Sequence, residues 1–151
     1  MTITNGTIQR YLQLLSGYVL QLQKHRERSR DELHADLDLA WAIEHGLQLC
    51  IQCVIDICQY TVAELGLSAP ESSPQAIELL RDAGVFSADF ATTLIQMVRF
   101  RNILVHAYAH VDVDRVHSNL AKLDDFAQFA QCILKFFEGQ KQDNANSSDV
   151  A

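Results

Sequence analysis

Apolar positions recur at steps of three and four through most of the chain, the signature of amphipathic helices rather than strands. Between residues 7 and 28, Ile8, Leu12, Leu15, Val19 and Leu22 fall on one helical face. The segment ends on Lys24, His25, Arg26, Arg28 and Arg30, and cations are favoured at a helix C-terminus. Ser29-Arg30-Asp31-Glu32 has the form of a capping box, so a second helix is predicted to start there. Nothing breaks it before Gly66 except a tolerable Gly46, and its apolar face runs Leu33, Leu37, Trp41 (or Ala40), Leu47, Ile51, Val54, Cys58, Val62 and Leu65. A helix of that length spans about 50 Å at 1.5 Å per residue. That exceeds the width of a domain this size, so the helix is expected to cross the bundle and present a face to a second subunit.

Residues 66–74 form the main predicted loop, with Ser73-Pro74 as N-cap and first helical position of a short helix over 74–83. Gly84 is a natural stop for it. Ser87 caps a further helix through Phe90, Leu94, Met97 and Val98 towards Ile103, and the pattern softens over 107–111. Asp112 starts a last helix bearing Val116, Leu120, Leu123, Phe126, Phe129, Ile133 and Phe136. The predicted fold is an all-α, up-and-down helical bundle of four long helices and a short one, occupying 1–138, with a polar disordered tail over 139–151.

Composition narrows the functional classes. The chain has 151 residues, the size of one domain, and a net charge of −7, which excludes a globally basic nucleic-acid coat but leaves room for a local basic patch. The N-terminus carries no signal-like region and no apolar run reaches membrane-spanning length uninterrupted, so a cytoplasmic chain with reduced thiols and no membrane partner is expected. Cys50 and Cys53 form a CxxC, but no second pair exists to complete a zinc site, and all four cysteines read as small apolar residues. Phosphate-binding glycine loops, HExxH and GxSxG are absent.

The densest polar cluster is Met97-Val98-Arg99-Phe100-Arg101-Asn102-Ile103-Leu104-Val105-His106-Ala107-Tyr108 with Ala109-His110-Val111-Asp112. On a helix Asn102 and His106 are i, i+4 neighbours, and Arg101 and Tyr108 stack two turns apart on an adjacent face. An imidazole beside a guanidinium suits RNA cleavage without a metal. The His serves as base or acid near neutral pH, the Arg grips phosphate oxygens, and an Asn can orient the ring. The plainer alternative pairs Arg101 with a carboxylate, Asp56 or Asp112, and leaves His106 a satisfied buried histidine.

Arg101-Asn102-Ile103-Leu104-Val105-His106-Ala107-Tyr108, followed by Val111-Asp112, resembles the Arg-x4-His-x-Tyr signature of the HEPN superfamily, and in particular the HepT-like toxins. The resemblance extends through Ala42–Gln48, Ile55-Asp56-Ile57, Ala63–Leu67, Pro70-Glu71-Ser72, Leu79-Leu80, Ala83-Gly84-Val85 and Met97–Asn102. It implies a homodimeric all-α ribonuclease that needs no metal and no cofactor and acts on cellular RNA, tRNA among the candidates. It implies Arg101 and His106 as catalytic pair with Asn102 in support. It also implies a minimal nucleotidyltransferase antitoxin as partner, with Tyr108 as acceptor of AMP. An added phosphate there would obstruct RNA by bulk and by like charge. Asp56 and Arg99 are accessory candidates: Asp56 as a brace for Arg101 or the dimer interface, or as a group that only hydrogen-bonds locally, and Arg99 joining Arg101 and the 24–30 cluster as an RNA-attracting patch, a cluster that reads equally as a solvated helix end. The alternative is a non-catalytic helical module that binds nucleotide or the nucleotidyltransferase.

Overall fold

The computed structural model describes the backbone of residues 2–106 and 112–149 and the side chains of residues 6–104 and 112–147. Its described residues form seven helices and no strand: α1 Thr2–Gln23, α2 Arg30–Ala35, α3 Leu37–Glu64, α4 Ser73–Asp82, α5 Ala88–His106, α6 Val113–Leu120 and α7 Asp124–Asp149. The all-α bundle predicted from periodicity is what forms, but two of its predicted helices are each divided in two.

The first division is at Asp36. The Ser29 hydroxyl accepts from the Glu32 amide and the Glu32 carboxylate accepts from the Ser29 amide, so the capping box forms. Seven residues after Ser29, Asp36 leaves helical geometry, and its carboxylate accepts from the Leu39 amide to cap α3 afresh. An Asp competes with the helix for backbone donors in this way. The predicted 50 Å rod is therefore a single-turn-and-a-half α2 and a separate α3. The second division is the turn at Ala121–Leu123, after which Asp124 and Asp125 occupy the favourable first turn of α7. Gly66 (φ 66°) and Gly84 (φ 87°) end α3 and α4 in left-handed geometry, with Leu67 N–H bonded to Val62 O and Val85 N–H to Leu80 O. The N-cap of α4 is Ser72, one residue before the predicted one, and Pro74 stays within its first turn.

The hub is α3, which packs against every other helix. Ala40, Ile43, Leu47, Cys50, Val54 and Ile57 are nearly sealed from solvent. By length and composition α3 is apolar enough to cross a membrane, and it is instead the core helix, 56% of its most apolar window buried. Ala40 rather than Trp41 takes the inward position, and Trp41 is 57% exposed. Gly46 lets α1 come close: a Cβ there would lie 2.8 Å from the Leu22 side chain. Among the described side chains of α7 the last buried one is Ile133. Where a frayed tail was predicted from 139, helix continues to Asp149, and its described side chains from Glu138 to Ser147 are exposed. Gly139 is the only poor helix former before the Asn-rich end, and Ser147 donates back to the Asp143 carbonyl.

The break at Asp36 has a positional result. It frees α2 to lie against α6, where His34 Nε2 meets Asp114 at 2.9 Å, Arg30 reaches the same carboxylate at 3.7 Å, and His117 Nε2 bonds the Arg28 carbonyl at 3.0 Å. This clasp fixes α6, the element that follows the polar motif in the chain.

Candidate functional site

Helix α5 carries the motif. Ser87 caps it by accepting from the Phe90 amide, and Phe90, Leu94 and Val98, one turn apart, anchor it in the core. Arg101 continues that inward-facing row and is half-buried. Its Nε is shielded from solvent and has no hydrogen-bond partner, and the guanidinium makes no ion pair with any described residue. The two carboxylates considered for it are engaged elsewhere. Asp56 accepts from Gln52 Nε2 at 2.8 Å. Asp112 caps α6 by accepting from the Arg115 amide, and it lies 3.4 Å from Arg115 Nε.

Asn102 and Arg99 are exposed on the outer side of α5, and Ile103, adjoining them, is 48% exposed. His106 is the last residue of α5. Its side chain, and Tyr108 altogether, lie outside the described residues.

The 24–30 basic cluster does not stand free as an RNA-attracting patch. Arg26 forms a two-pronged bridge to Asp124 (3.1 and 2.9 Å), Arg28 bridges Glu32 at 3.0 Å, and Arg30 reaches Asp114. These contacts tie the end of α1 to α7 and the start of α2 to α6. His117 belongs to the same clasp.

A cleft of about 580 Å³ opens beside the motif instead. α3 is its floor, α5 one wall, and α6 with the start of α7 the other. Its cations are Arg99, Arg115 and Lys122. Sequence reasoning missed the last two as a pair. The available signal was their seven-residue spacing across Ser118-Asn119, which puts them on one side of a continuous helix, but nothing in that spacing shows that this side faces α5. Asp125 also lines the cleft, and burial pushes its carboxyl above the ordinary range, with Lys122 acting against the shift and Asp124 adding to it.

Three of the four thiols are core groups, and Cys132 is half-buried. Burial raises Cys50 to about 12 and Cys53 to about 11, the latter with help from the Asp56 charge, and raises fully buried Cys58 further. Among the described residues no three His, Cys, Asp or Glu side chains gather as a metal-binding group.

The sequence matches the family described as Ribonuclease HepT-like over residues 8–133, a span that includes α2 to α6 entire and the whole Arg101–Tyr108 motif. The chain belongs to the HepT-like ribonucleases. An mRNA nuclease HepT from Shewanella oneidensis is 32% identical to this HepT-like chain over 99 residues, 65% of this chain and 74% of the relative. A putative RNase of Archaeoglobus fulgidus is 27% identical over 134 residues, 86% and 97% of the two chains. Among solved structures, a tri-AMPylated HEPN toxin of Shewanella oneidensis in complex with its MNT antitoxin superposes with a TM-score of 0.77. It has 26% identity, and 85% of this HepT-like chain and 96% of that one are covered. A cytosolic protein of unknown function from Bacillus subtilis, 17% identical, shares the fold with a TM-score of 0.75 over 90% and 92% of the two chains.

Proposed function

We propose that this HepT-like chain is a metal-independent endoribonuclease toxin of cellular RNA, with Arg101 and His106 as its catalytic pair and Asn102 in support. The observation that carries the reading is the Arg101 guanidinium, held half-buried at the end of the core with no carboxylate among the described residues to neutralise it. A structural arginine in such a place normally has a partner, since a buried unpaired donor costs about 1–3 kcal/mol. A phosphate oxygen of substrate supplies one.

The chemistry proceeds in one displacement. His106 takes the proton of a ribose 2′-OH, and the oxygen attacks the adjoining phosphorus. The bond to the 5′-oxygen breaks, and that oxygen leaves with a proton supplied by solvent water, while the protonated His106 returns its own proton to solvent. Arg101 balances the negative charge that builds on the phosphorane, and a 2′,3′-cyclic phosphate and a 5′-hydroxyl result. Asn102, one helical turn before His106, is placed to orient the imidazole.

The active form is a homodimer. Trp41, Leu37, Leu20 and Leu14, all large and 44–60% exposed, are the apolar surface that favours it. The partner is a minimal nucleotidyltransferase, which moves AMP from ATP onto the Tyr108 hydroxyl with release of pyrophosphate. The Shewanella oneidensis toxin was captured AMPylated and bound to such an antitoxin, which supports this assignment.

Cleavage of total RNA and of tRNA in excess EDTA tests the reading. Arg101→Ala and His106→Ala are expected to lose at least a hundredfold in rate while keeping the helical circular dichroism of the parent. Parent-like cleavage by both would place the activity elsewhere. Binding of RNA or nucleotidyltransferase without any cleavage would favour the non-catalytic module. Light scattering should give the mass of two chains. Intact mass after incubation with the nucleotidyltransferase and ATP should rise by AMP units, and fail to do so at that position in Tyr108→Phe.

A further inference from the structure

The cleft between α5 and α6–α7 lies beside the catalytic row without being part of it. Its α5 wall is Gln96, Met97, Arg99, Phe100 and Ile103, and His106 follows Ile103 at three residues, about 4.5 Å further along the same helix. We infer that this cleft is a second RNA-binding site. It would hold the single-stranded backbone that flanks the scissile phosphate on Arg99, Arg115 and Lys122, with a base laid against Met97, Phe100 and Ile103. The inference rests on the ribonuclease reading for its ligand.

Charge is the first argument. The chain carries −7 overall, and most of its other clustered cations are engaged with carboxylates. Arg99 and Lys122 form no ion pair among the described residues, and Arg115 has only its exposed 3.4 Å contact with Asp112. Three cations around one concavity in an acidic protein focus a positive field where the rest of the surface repels polyanions. Shape is the second. About 580 Å³ is ample for a nucleotide, and the apolar α5 wall offers a face on which any base can rest. Ser118 and Asn119 bring further polar atoms to the opposite rim, although Ser118 Oγ and Asn119 Nδ2 already donate to backbone carbonyls of α6. Continuity is the third: a strand lying along α5 from Arg99 reaches His106 in about 10 Å.

Asp125 is the discordant group, a half-buried carboxylate on the same wall. It would repel a phosphate, and that gives the site a gain-of-binding variant as well as losses.

The test is anisotropy of the full chain with a mixed-sequence single-stranded RNA methylated at every 2′-hydroxyl, which has no attacking group, titrated at several salt concentrations. Arg115→Gln and Lys122→Gln are each expected to weaken binding roughly tenfold. Each should also flatten the salt dependence by about 0.7 in log–log slope. Asp125→Asn is expected to tighten binding, a change that partial unfolding does not produce. Unchanged affinity and slope in both cation variants, with no gain in Asp125→Asn, would overturn the proposal. So would unchanged RNA binding together with lost binding of the nucleotidyltransferase, which would assign the cleft to an acidic protein surface. If the cation variants lose RNA as expected but the parent cleaves no unmodified RNA, the cleft stands and the nuclease reading falls.

Discussion

Arg101 shows how one residue can be readable in chemistry and hidden in environment. Its type and its five-residue distance from His106 are visible in the sequence, and so is the polar character of its surroundings. Its lack of a carboxylate among the described residues is not, because Asp56 and Asp112 were both open to it until Gln52 and the α6 cap were seen to hold them. The cysteines are the converse case, since apolar neighbours on a helical face already mark Cys50, Cys53 and Cys58 as core. Their raised values make thiolate scarce at neutral pH, and burial blocks access as well. Iodoacetamide at pH 8 should therefore add once to the native chain, at half-buried Cys132, and four times after denaturation, as read by intact mass. Rapid native modification at Cys50 or Cys58 would contradict the packing of α3.

The helices themselves were legible wherever a cap and a period agreed, as at Ser29, Ser87, Gly66 and Gly84. They were not where a good period ran through a competing cap. Leu33 and Leu37 are in phase for a continuous helix, and nothing in that period shows that the Asp36 carboxylate caps α3 afresh. The close passage of α1 over α3 was likewise invisible, since Gly46 reads as merely tolerable and nothing in the pattern names Leu22 as its neighbour. Gly46→Val should push the two helices apart and cost about 1–3 kcal/mol in urea unfolding. An unchanged midpoint would mean that Leu22 yields freely. The clasp that holds α6 gives a pH dependence of known sign. The His34 hydrogen bond, then the Arg30 charge, hold the Asp114 carboxyl below its ordinary range, and Arg26 does the same for Asp124 and Arg28 for Glu32. A depressed carboxylate contributes its full stability above the unfolded value and loses it as pH falls through the lower folded value. Thermal stability should thus decline below about pH 4, and Asp114→Asn should blunt the decline. Salt should blunt it too, because these pairs are exposed. Asp125, raised by burial, works in the opposite direction: its protonation relieves a cost, so Asp125→Asn should make the acid decline steeper.

At the scale of the whole molecule, the bundle class follows from helical periods and few breakers, but the cleft does not. It exists because α5 and α6 both pack on α3 and scarcely on each other, an outcome of packing angles that no single segment encodes. The central position of α3 reaches beyond architecture into how the protein opens. Every other helix packs on α3, and Cys50–Cys58 is a deeply buried stretch of it, so opening that stretch disturbs the whole bundle. Its amide hydrogens should trade with deuterium only when the entire chain melts, and their exchange should track global stability variant by variant, while those of α6 and of residues beyond 138 exchange through small openings. The α6 wall of the cleft would then breathe against a keel that stays shut.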